Sequence, residues 1–272
     1  MFSFARLAGR VRWIREQLDL TWRGWCALVV AIGALGASVA VVGGVSEDVT
    51  QHNGLANRDV ANLSFFTGHK PDFVLRAAHL VTRLGGIALL ALLAVGTGLL
   101  LWHRGVPFAA AAAPAFALGV AATLAAIGKQ VVDRGGPGAG LRVVADGEPS
   151  FPSGHATDSA ALYLTLGLVV AIFVLRRPLA RVATVACSVV LVAAIGVTRL
   201  VLGVHWPTDV FAGWALGATA ALGAAVGATL LTRLIPPAST SPEGRIRRAA
   251  ARLGRLLTAE RSPSAAEGSS GL

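Results

Sequence analysis

Long apolar runs recur along this 272-residue chain, instead of the alternation of apolar and polar positions that marks the half-buried elements of a soluble domain. About 20 apolar residues in a helix cross the roughly 30 Å of hydrocarbon in a bilayer. Lipid offers no hydrogen-bond partners, so a spanning segment must satisfy its own backbone N–H and C=O groups, as a helix does. The pattern predicts an all-α polytopic membrane helical bundle with six transmembrane helices, at residues 24–44, 85–102, 107–128, 157–176, 181–203 and 208–232.

The composition agrees with this prediction. Hydrophobic residues make up 54% of the chain and charged residues 14%, against about 25% charged residues in soluble domains. The mean hydropathy is +0.66. Gly and Ala inside the apolar runs would weaken soluble helices, but in lipid small residues let neighbouring helices pack closely. Cys26 and Cys187 both fall inside predicted spans, far from any metal-like spacing, so we expect neither to bind a metal.

The segment before the second span has a different pattern, with one apolar and one basic face. The apolar positions are Phe73, Ala77, Leu80 and Leu84, and the basic positions are Arg76, His79 and Arg83. Both sets recur at helical spacing. We therefore expect an amphipathic interfacial helix on the membrane surface, immediately before the second transmembrane helix.

The net charge of +10 would suggest a nucleic-acid partner in a soluble protein, but in a membrane protein its distribution between loops matters more. Arginines are concentrated in residues 1–23, in the two short connections that contain Arg104 and Arg176, and in the tail from Arg233. The alternate connections carry almost no net charge. Because Lys and Arg favour cytoplasmic loops, we expect both termini in the cytoplasm, an extracytoplasmic site and no nucleic-acid partner.

The chain is expected to have three parts. Residues 1–23 form a basic cytoplasmic segment, residues 24–232 the six-span membrane domain, and residues 233–272 a basic cytoplasmic tail that is largely disordered. The first apolar run is longer than the apolar core of a signal peptide, which favours a membrane anchor. The arginines of the tail suit either a helix on anionic lipid or a solvated tail.

The first extracytoplasmic segment with candidate chemistry runs from Lys129 to Pro137 and contains Arg134 beside two glycines. Glycines let backbone approach a bound anion closely. Lysine and arginine also extend towards water at the ends of ordinary spans, and this reading stays open.

The second segment is Pro152-Ser153-Gly154-His155, at the predicted start of the fourth span. The N–H groups and positive dipole of a helix N-terminus favour an anion, while His155 is able to carry a proton. The alternative is an ordinary helix cap made by Ser153 or Thr157, with His155 as an interfacial side chain.

The third segment joins the fifth and sixth spans and contains Arg199, His205 and Asp209. If the turn is helical, the spacing of four lets Asp209 hold one ring nitrogen of His205 and leaves the other as a nucleophile. Alternatively, Asp209 caps the next helix and His205 is an interfacial side chain.

Taken together, the three segments place two histidines, several cations and a hydroxyl at one side of the bilayer. Cations suit the charge of a transferring phosphoryl group, and two histidines are able to act as nucleophile and acid. Two other classes remain open: an anion-binding or transport protein, and a metallohydrolase that uses His155, Asp158, His205 and Asp209. The competing cations make the metal site less favourable.

These residues resemble the type 2 phosphatidic acid phosphatases, whose signature reads K-x6-R-P, P-S-G-H and S-R-x5-H-x3-D. The second and third parts match, with Thr198 in the place of the serine, and the resemblance covers roughly residues 60–232. The first part departs from the pattern, because Gly136 occupies the place of the arginine and Arg134 lies two residues earlier. We expect Arg134 to reach across the glycines and substitute for it; a catalytically impaired member of the family is the alternative.

The resemblance implies a lipid phosphate phosphatase without metal or cofactor. His205 would attack phosphorus and form a phosphohistidine, Asp209 would orient it, and His155 would protonate the leaving oxygen. The phosphate would be held by Lys129, Arg134, Ser153, Gly154 and Arg199. The expected substrate is a membrane lipid phosphate arriving from the bilayer: a phosphomonoester or diphosphate of a phospholipid, such as phosphatidic acid, or of a polyprenyl lipid. The sequence does not choose between them.

Overall fold

A computed structural model describes residues 22–68, 70–138, 140 and 149–234, with the side chains from residue 28 to residue 233. Throughout those ranges the regular elements are helices: α1 Trp22–Thr50, α2 Asp59–Thr67, α3 Asp72–Thr82, α4 Ile87–His103, α5 Phe108–Val132, α6 Gly154–Val169, α7 Pro178–Val201 and α8 Pro207–Leu234. Short 3-10 turns, Ala56–Arg58 and Arg83–Gly85, precede α2 and α4, and a π-helical turn, Val170–Val174, extends α6. The predictions for residues 1–21 and for the tail from residue 235 lie outside the described residues.

Five of these helices, α1, α5, α6, α7 and α8, are long and apolar enough to cross a membrane. The sixth crossing comes from α3 and α4, which pass the same test as a pair and are bent by 50° at the turn between them. The predicted all-α membrane bundle is therefore confirmed, with the bend at the point where the interfacial helix was expected to meet the second span.

Helix α3 presents its apolar side away from the bundle. Phe73 is 72% exposed and Leu80 is 67% exposed. On its other side the small Ala78 is buried against Leu202 and Val204, which follow α7. This exposed apolar surface suits contact with lipid.

The centre of the bundle is formed by close packing of α6 against α8, and glycines permit it. A methyl group on Gly213 would lie 2.8 Å from the carbonyl oxygen of Ser153. One turn later, a methyl on Gly217 would overlap the carbonyl oxygen of Thr157. Small residues allow helix backbones to approach in this way. The approach brings the beginning of α6 next to the beginning of α8.

The same end of the bundle also contains the last turns of α5 and α7. Helix α5 ends at Val132, and the next residue, Asp133, adopts a left-handed conformation with φ 43° while its N–H donates to the carbonyl of Lys129. After α7 the chain reverses through Gly203, whose φ of 65° favours glycine. These helix ends position the candidate residues of the three segments.

Candidate active site

The beginning of α6 presents Ser153 without using it as a side-chain cap. Ser153 is fully buried, and its Oγ has no hydrogen-bond partner among the described residues. Its backbone N–H donates to the carbonyl oxygen of Asp209 at 3.0 Å, and the Thr157 hydroxyl donates to the Ser153 carbonyl at 2.9 Å. Next to it, a Cβ on Gly154 would meet no described atom within 4 Å. Ser153 therefore makes no side-chain cap, so the alternative of an ordinary serine cap is wrong, and no described side chain caps the N-terminus of α6.

His205 lies in the turn before α8, with Asp209 in the first turn of that helix. The His205 Nδ1 atom is 3.6 Å from Asp209 Oδ2, a distance longer than a hydrogen bond, and both side chains are buried. The other edge of the imidazole, with Nε2, therefore faces away from the carboxylate. Asp209 Oδ2 also accepts a 2.8 Å hydrogen bond from the Trp206 N–H, so this side chain caps α8 as well as facing the histidine.

Arg134 binds two carboxylates. One terminal nitrogen, Nη1, donates to Asp209 Oδ1 at 2.7 Å and to Thr208 Oγ1 at 2.8 Å. The other, Nη2, donates to Asp59 Oδ2 at 2.7 Å. The guanidinium also lies over the Trp206 ring, 5.5 Å from its centre. The sequence predicted a phosphate contact for this arginine, whereas the structure places it on Asp59 and Asp209.

Asp59 is the site residue that the sequence did not indicate. It is 2% exposed at the start of α2, and its Oδ1 accepts a 3.0 Å hydrogen bond from the Thr208 N–H. The Thr208 hydroxyl donates to its other oxygen. An aspartate near the start of a short helix has many ordinary explanations. No motif in the sequence separated it from Asp48, which accepts a hydrogen bond from the nearby Leu55 N–H.

Lys129 lies in the last turn of α5, as expected for a residue at the end of a span. Its Nζ donates to the carbonyl of Pro149 at 2.8 Å, and it interacts electrostatically with the buried Asp158 of α6. The loop before α6 is further fixed by Ser150, whose N–H donates to the Arg134 carbonyl at 2.8 Å. The first and second segments are therefore joined by backbone contacts.

Arg199 and His155 both contact the bend between α3 and α4. Arg199 is 9% exposed, and its Nη1 donates to the Thr82 hydroxyl at 3.1 Å. A Cβ on Gly85 would lie 3.1 Å from His155 Cδ2. Thr82 and Gly85 were not predicted as part of the site, because their contribution depends on the bend.

The contacts thus bring all eight predicted site residues to one end of the bundle. Within the described part of the chain, no group of three or more His, Cys, Asp or Glu side chains is arranged to hold a metal ion. Asp59 and Asp209 instead share Arg134. Among the described residues, the site consists of a buried histidine with a carboxylate behind it, a helix N-terminus without a side-chain cap, and two further cations.

Cations, a buried histidine and a helix N-terminus at one end of a bundle are features that suit a phosphate group. The sequence profile of the PAP2 superfamily matches residues 65–233, and the chain belongs to that superfamily. The fold agrees: a crystal structure of a transmembrane PAP2-type phosphatidylglycerolphosphate phosphatase from Bacillus subtilis superposes with a TM-score of 0.62 at 19% identity. The match covers 71% of this chain and 93% of that one.

Two curated relatives match over shorter segments. The chain is 46% identical over 69 residues to a lipid A 1-phosphatase from Rhizobium johnstonii, which is 25% of this chain and 24% of the relative. It is 37% identical over 83 residues to a decaprenylphosphoryl-5-phosphoribose phosphatase from Mycobacterium tuberculosis, which is 30% of this chain and 40% of the relative. The matches therefore span less than half of either relative's length. The family predicted from the three segments is confirmed.

Proposed function

We propose that this protein is an integral-membrane lipid phosphate phosphatase that acts through a phosphohistidine on His205. The observation that carries the proposal is the pairing of His205 with Asp209, 3.6 Å apart and buried, directly beside the N-terminus of α6. A carboxylate against Nδ1 keeps that nitrogen protonated and leaves Nε2 with the lone pair that attacks phosphorus. The membership of the PAP2 superfamily supports this assignment.

The phosphate oxygens are held by Lys129, Ser153, Gly154 and Arg199 in this proposal. Ser153 contributes its buried, unbonded hydroxyl and Gly154 an N–H at the positive end of the α6 dipole. The two cations balance the charge that spreads over the oxygens during transfer. Because they supply that charge, the reaction needs neither a metal ion nor a cofactor.

In the first step, the Nε2 lone pair of His205 forms a bond to phosphorus while the bond from phosphorus to the leaving oxygen breaks. His155 donates a proton to that oxygen, so the leaving group departs neutral. The product of this step is a phosphohistidine, with the Nδ1–H of His205 facing Asp209.

In the second step, water attacks the phosphohistidine. His155, now neutral, takes a proton from the water as its oxygen bonds to phosphorus, and the bond between phosphorus and Nε2 breaks. Inorganic phosphate leaves, and both histidines return to their starting protonation states. Each residue is therefore used in both steps.

The substrate class is a phosphomonoester or diphosphate of a phospholipid or polyprenyl lipid. Helices α2 and α3 contact the site through Asp59 and Thr82, and their exposed apolar side chains, which include Phe65 and Phe73, suit entry from the bilayer. The two relatives are named for a lipid A phosphate and for a decaprenyl-linked phosphate. The arginine distribution supports an extracytoplasmic site in the cell membrane with both termini in the cytoplasm.

The test is release of inorganic phosphate by purified protein in detergent micelles that contain a lipid phosphate or diphosphate, with a chelator present. His205→Asn should abolish release while the protein remains monodisperse and keeps its melting temperature. His103→Ala, at the opposite end of α4, is the matched control and should retain wild-type turnover. A phosphoryl group on His205 should be trapped by acid-free quenching of the wild type.

Two outcomes would overturn the proposal. Chelator-resistant release that persists in His205→Asn would remove the histidine from the chemistry. If the wild type releases phosphate from none of these lipids but binds them, the protein is a lipid phosphate binding or transport protein, or a catalytically impaired member of the family.

A further inference from the structure

Three charged side chains, two of them buried carboxylates, form a row behind His205. Arg134 lies between Asp59 and Asp209, at 2.7 Å from an oxygen of each carboxylate. Asp59 is 2% exposed and Asp209 is fully buried, while the Arg134 side chain is 19% exposed. The row carries the net charge of one carboxylate. Each of the two buried carboxylates has the Arg134 cation beside it, as burial of a charge requires.

The contacts of Asp209 leave its carboxylate little freedom to rotate. Oδ1 is held by Arg134 at 2.7 Å, and Oδ2 by the backbone N–H of Trp206 at 2.8 Å. Oδ2 is also the oxygen that lies 3.6 Å from His205 Nδ1. The orientation of the carboxylate towards the imidazole therefore depends on Arg134.

Asp59 in turn fixes Arg134. It binds the second terminal nitrogen of the guanidinium, and its two oxygens accept from the N–H and the hydroxyl of Thr208 in the first turn of α8. Thr208 Oγ1 also accepts from Arg134 at 2.8 Å, so the three side chains form a closed set. One carboxylate on α2 thus holds both the arginine and the helix turn that carries Asp209.

The position of Arg134 in this row argues against its replacing the arginine that the family has at the position of Gly136. An arginine bound to two buried carboxylates would have to break both ion pairs to reach a phosphate, and breaking a buried pair is strongly unfavourable. Arg134 therefore cannot bind a phosphate while it holds Asp59 and Asp209, and the structure shows it on the two carboxylates.

We propose that Asp59 and Arg134 are positioning residues, which hold the Asp209 carboxylate in place behind His205, and that Arg134 is not a phosphate ligand. The proposal rests on the proposed function of His205 as the nucleophile. It adds a residue from outside the three matched segments to the machinery, because Asp59 lies before residue 65, where the family match begins.

The net charge of the row provides the test. Arg134→Gln removes the cation that lies between the buried carboxylates of Asp59 and Asp209, and their mutual repulsion moves Asp209 away from its position. Adding Asp59→Asn removes the second carboxylate and restores the net charge of the wild type. The double variant should therefore recover activity that Arg134→Gln loses, which a phosphate-binding role does not predict.

The experiment measures kcat and KM for phosphate release from a lipid phosphate by wild type, Arg134→Gln, Asp59→Asn and the double variant. Arg134→Gln should lower kcat by about ten- to a hundredfold, with KM within about threefold of wild type. The double variant should regain at least about threefold in kcat. Arg58→Gln and Asp133→Asn are exposed neighbours of the same residue types, and both should match the wild type.

A second readout does not depend on turnover. The rate at which diethyl pyrocarbonate modifies His205, followed by peptide mass spectrometry, should change in Arg134→Gln and return towards wild type in the double variant. The modification of the exposed His103 in the same samples is the internal control. This readout separates failure of the positioning role from failure of the proposed function, since it also works in a protein without phosphatase activity.

Three results would overturn the positioning role. The first is a rise in KM above about tenfold at unchanged kcat in Arg134→Gln, which would make Arg134 a phosphate ligand. The second is a double variant whose loss equals the product of the two single losses. The third is an unchanged modification rate of His205 in every variant.

Discussion

Gly85 lies so close to His155 that a methyl group on it would come within 3.1 Å of His155 Cδ2, and within 2.6 Å of Ile195 Cγ2. The glycine occupies the turn where α3 bends into α4. His155, the proposed acid, therefore packs against a residue of a different span. The bend between the interfacial helix and the second span lies directly against the candidate site.

Gly85→Ala should displace His155 and lower kcat by about tenfold or more, because a misplacement of about 1 Å in a catalytic group has effects of this size. The value of kcat is measured from the release of inorganic phosphate from a lipid phosphate. Gly96→Ala, on α4 and with no described atom within 4 Å of its Cβ, is the matched control. Equal turnover by the two variants would mean that His155 does not need this packing.

Arg199→Ala should lower kcat/KM by about ten- to a hundredfold, because a hydrogen bond to a charged group contributes about 1.5–3 kcal/mol. Thr82→Val removes only the hydroxyl that accepts from Arg199, and should cause a smaller loss of about two- to tenfold. The kinetics are measured on the same lipid phosphate.

The matched control for Arg199 is Arg181→Ala, an exposed arginine at the other end of α7. It should behave as wild type. The proposed phosphate contact is wrong if Arg199→Ala and Arg181→Ala give the same kcat/KM.

Gly217→Ala should lower the melting temperature of the purified protein, since its methyl overlaps the Thr157 carbonyl and the α6 backbone must move. Overpacking of this kind costs about 1–3 kcal/mol. Gly223→Ala lies on the same helix with open space at its Cβ and should be neutral or stabilising. The melting temperatures of the two variants are compared with that of the wild type by thermal unfolding in detergent. A lower melting temperature for Gly223→Ala than for Gly217→Ala would contradict the packing argument.

The proposed topology is tested by cysteine labelling in a background with Cys26→Ala and Cys187→Ala. Asn53→Cys, exposed in the connection that leads to α2, should react with a membrane-impermeant maleimide in intact cells. His103→Cys, exposed at the opposite end of α4, should react only after the membrane is permeabilised. The reverse pattern would place the site in the cytoplasm.

The helices were predictable because the constraint that produces them is local. Each run of apolar residues must hydrogen-bond its own backbone in lipid, so the runs mark α5 and α7 to within a few residues. The end of α1 was less accurate, since the helix continues from the predicted residue 44 through polar residues to Thr50. Those residues extend the helix by hydrogen bonds that hydropathy does not reveal, such as the one from the Thr50 hydroxyl to the Ser46 carbonyl.

The site was predictable where its parts are close in sequence. Ser153 and His155 share the start of one helix, and His205 faces Asp209 at a separation of four residues, so motif spacing was enough to group them. Spacing alone leaves open whether Asp209 caps α8 or faces His205, and its side chain does both, since it accepts from the Trp206 N–H and lies 3.6 Å from His205 Nδ1.

The sequence by itself determined that this chain is a membrane bundle of the PAP2 superfamily, with its candidate residues at one set of helix ends. Only the tertiary structure decided what Arg134 binds, because its partner Asp59 is 75 residues away and its own side chain is long enough to reach either a phosphate or a carboxylate. The choice depends on packing between α2, α8 and the loop after α5. Two buried carboxylates hold the guanidinium there, and residue spacing does not reveal that electrostatic environment.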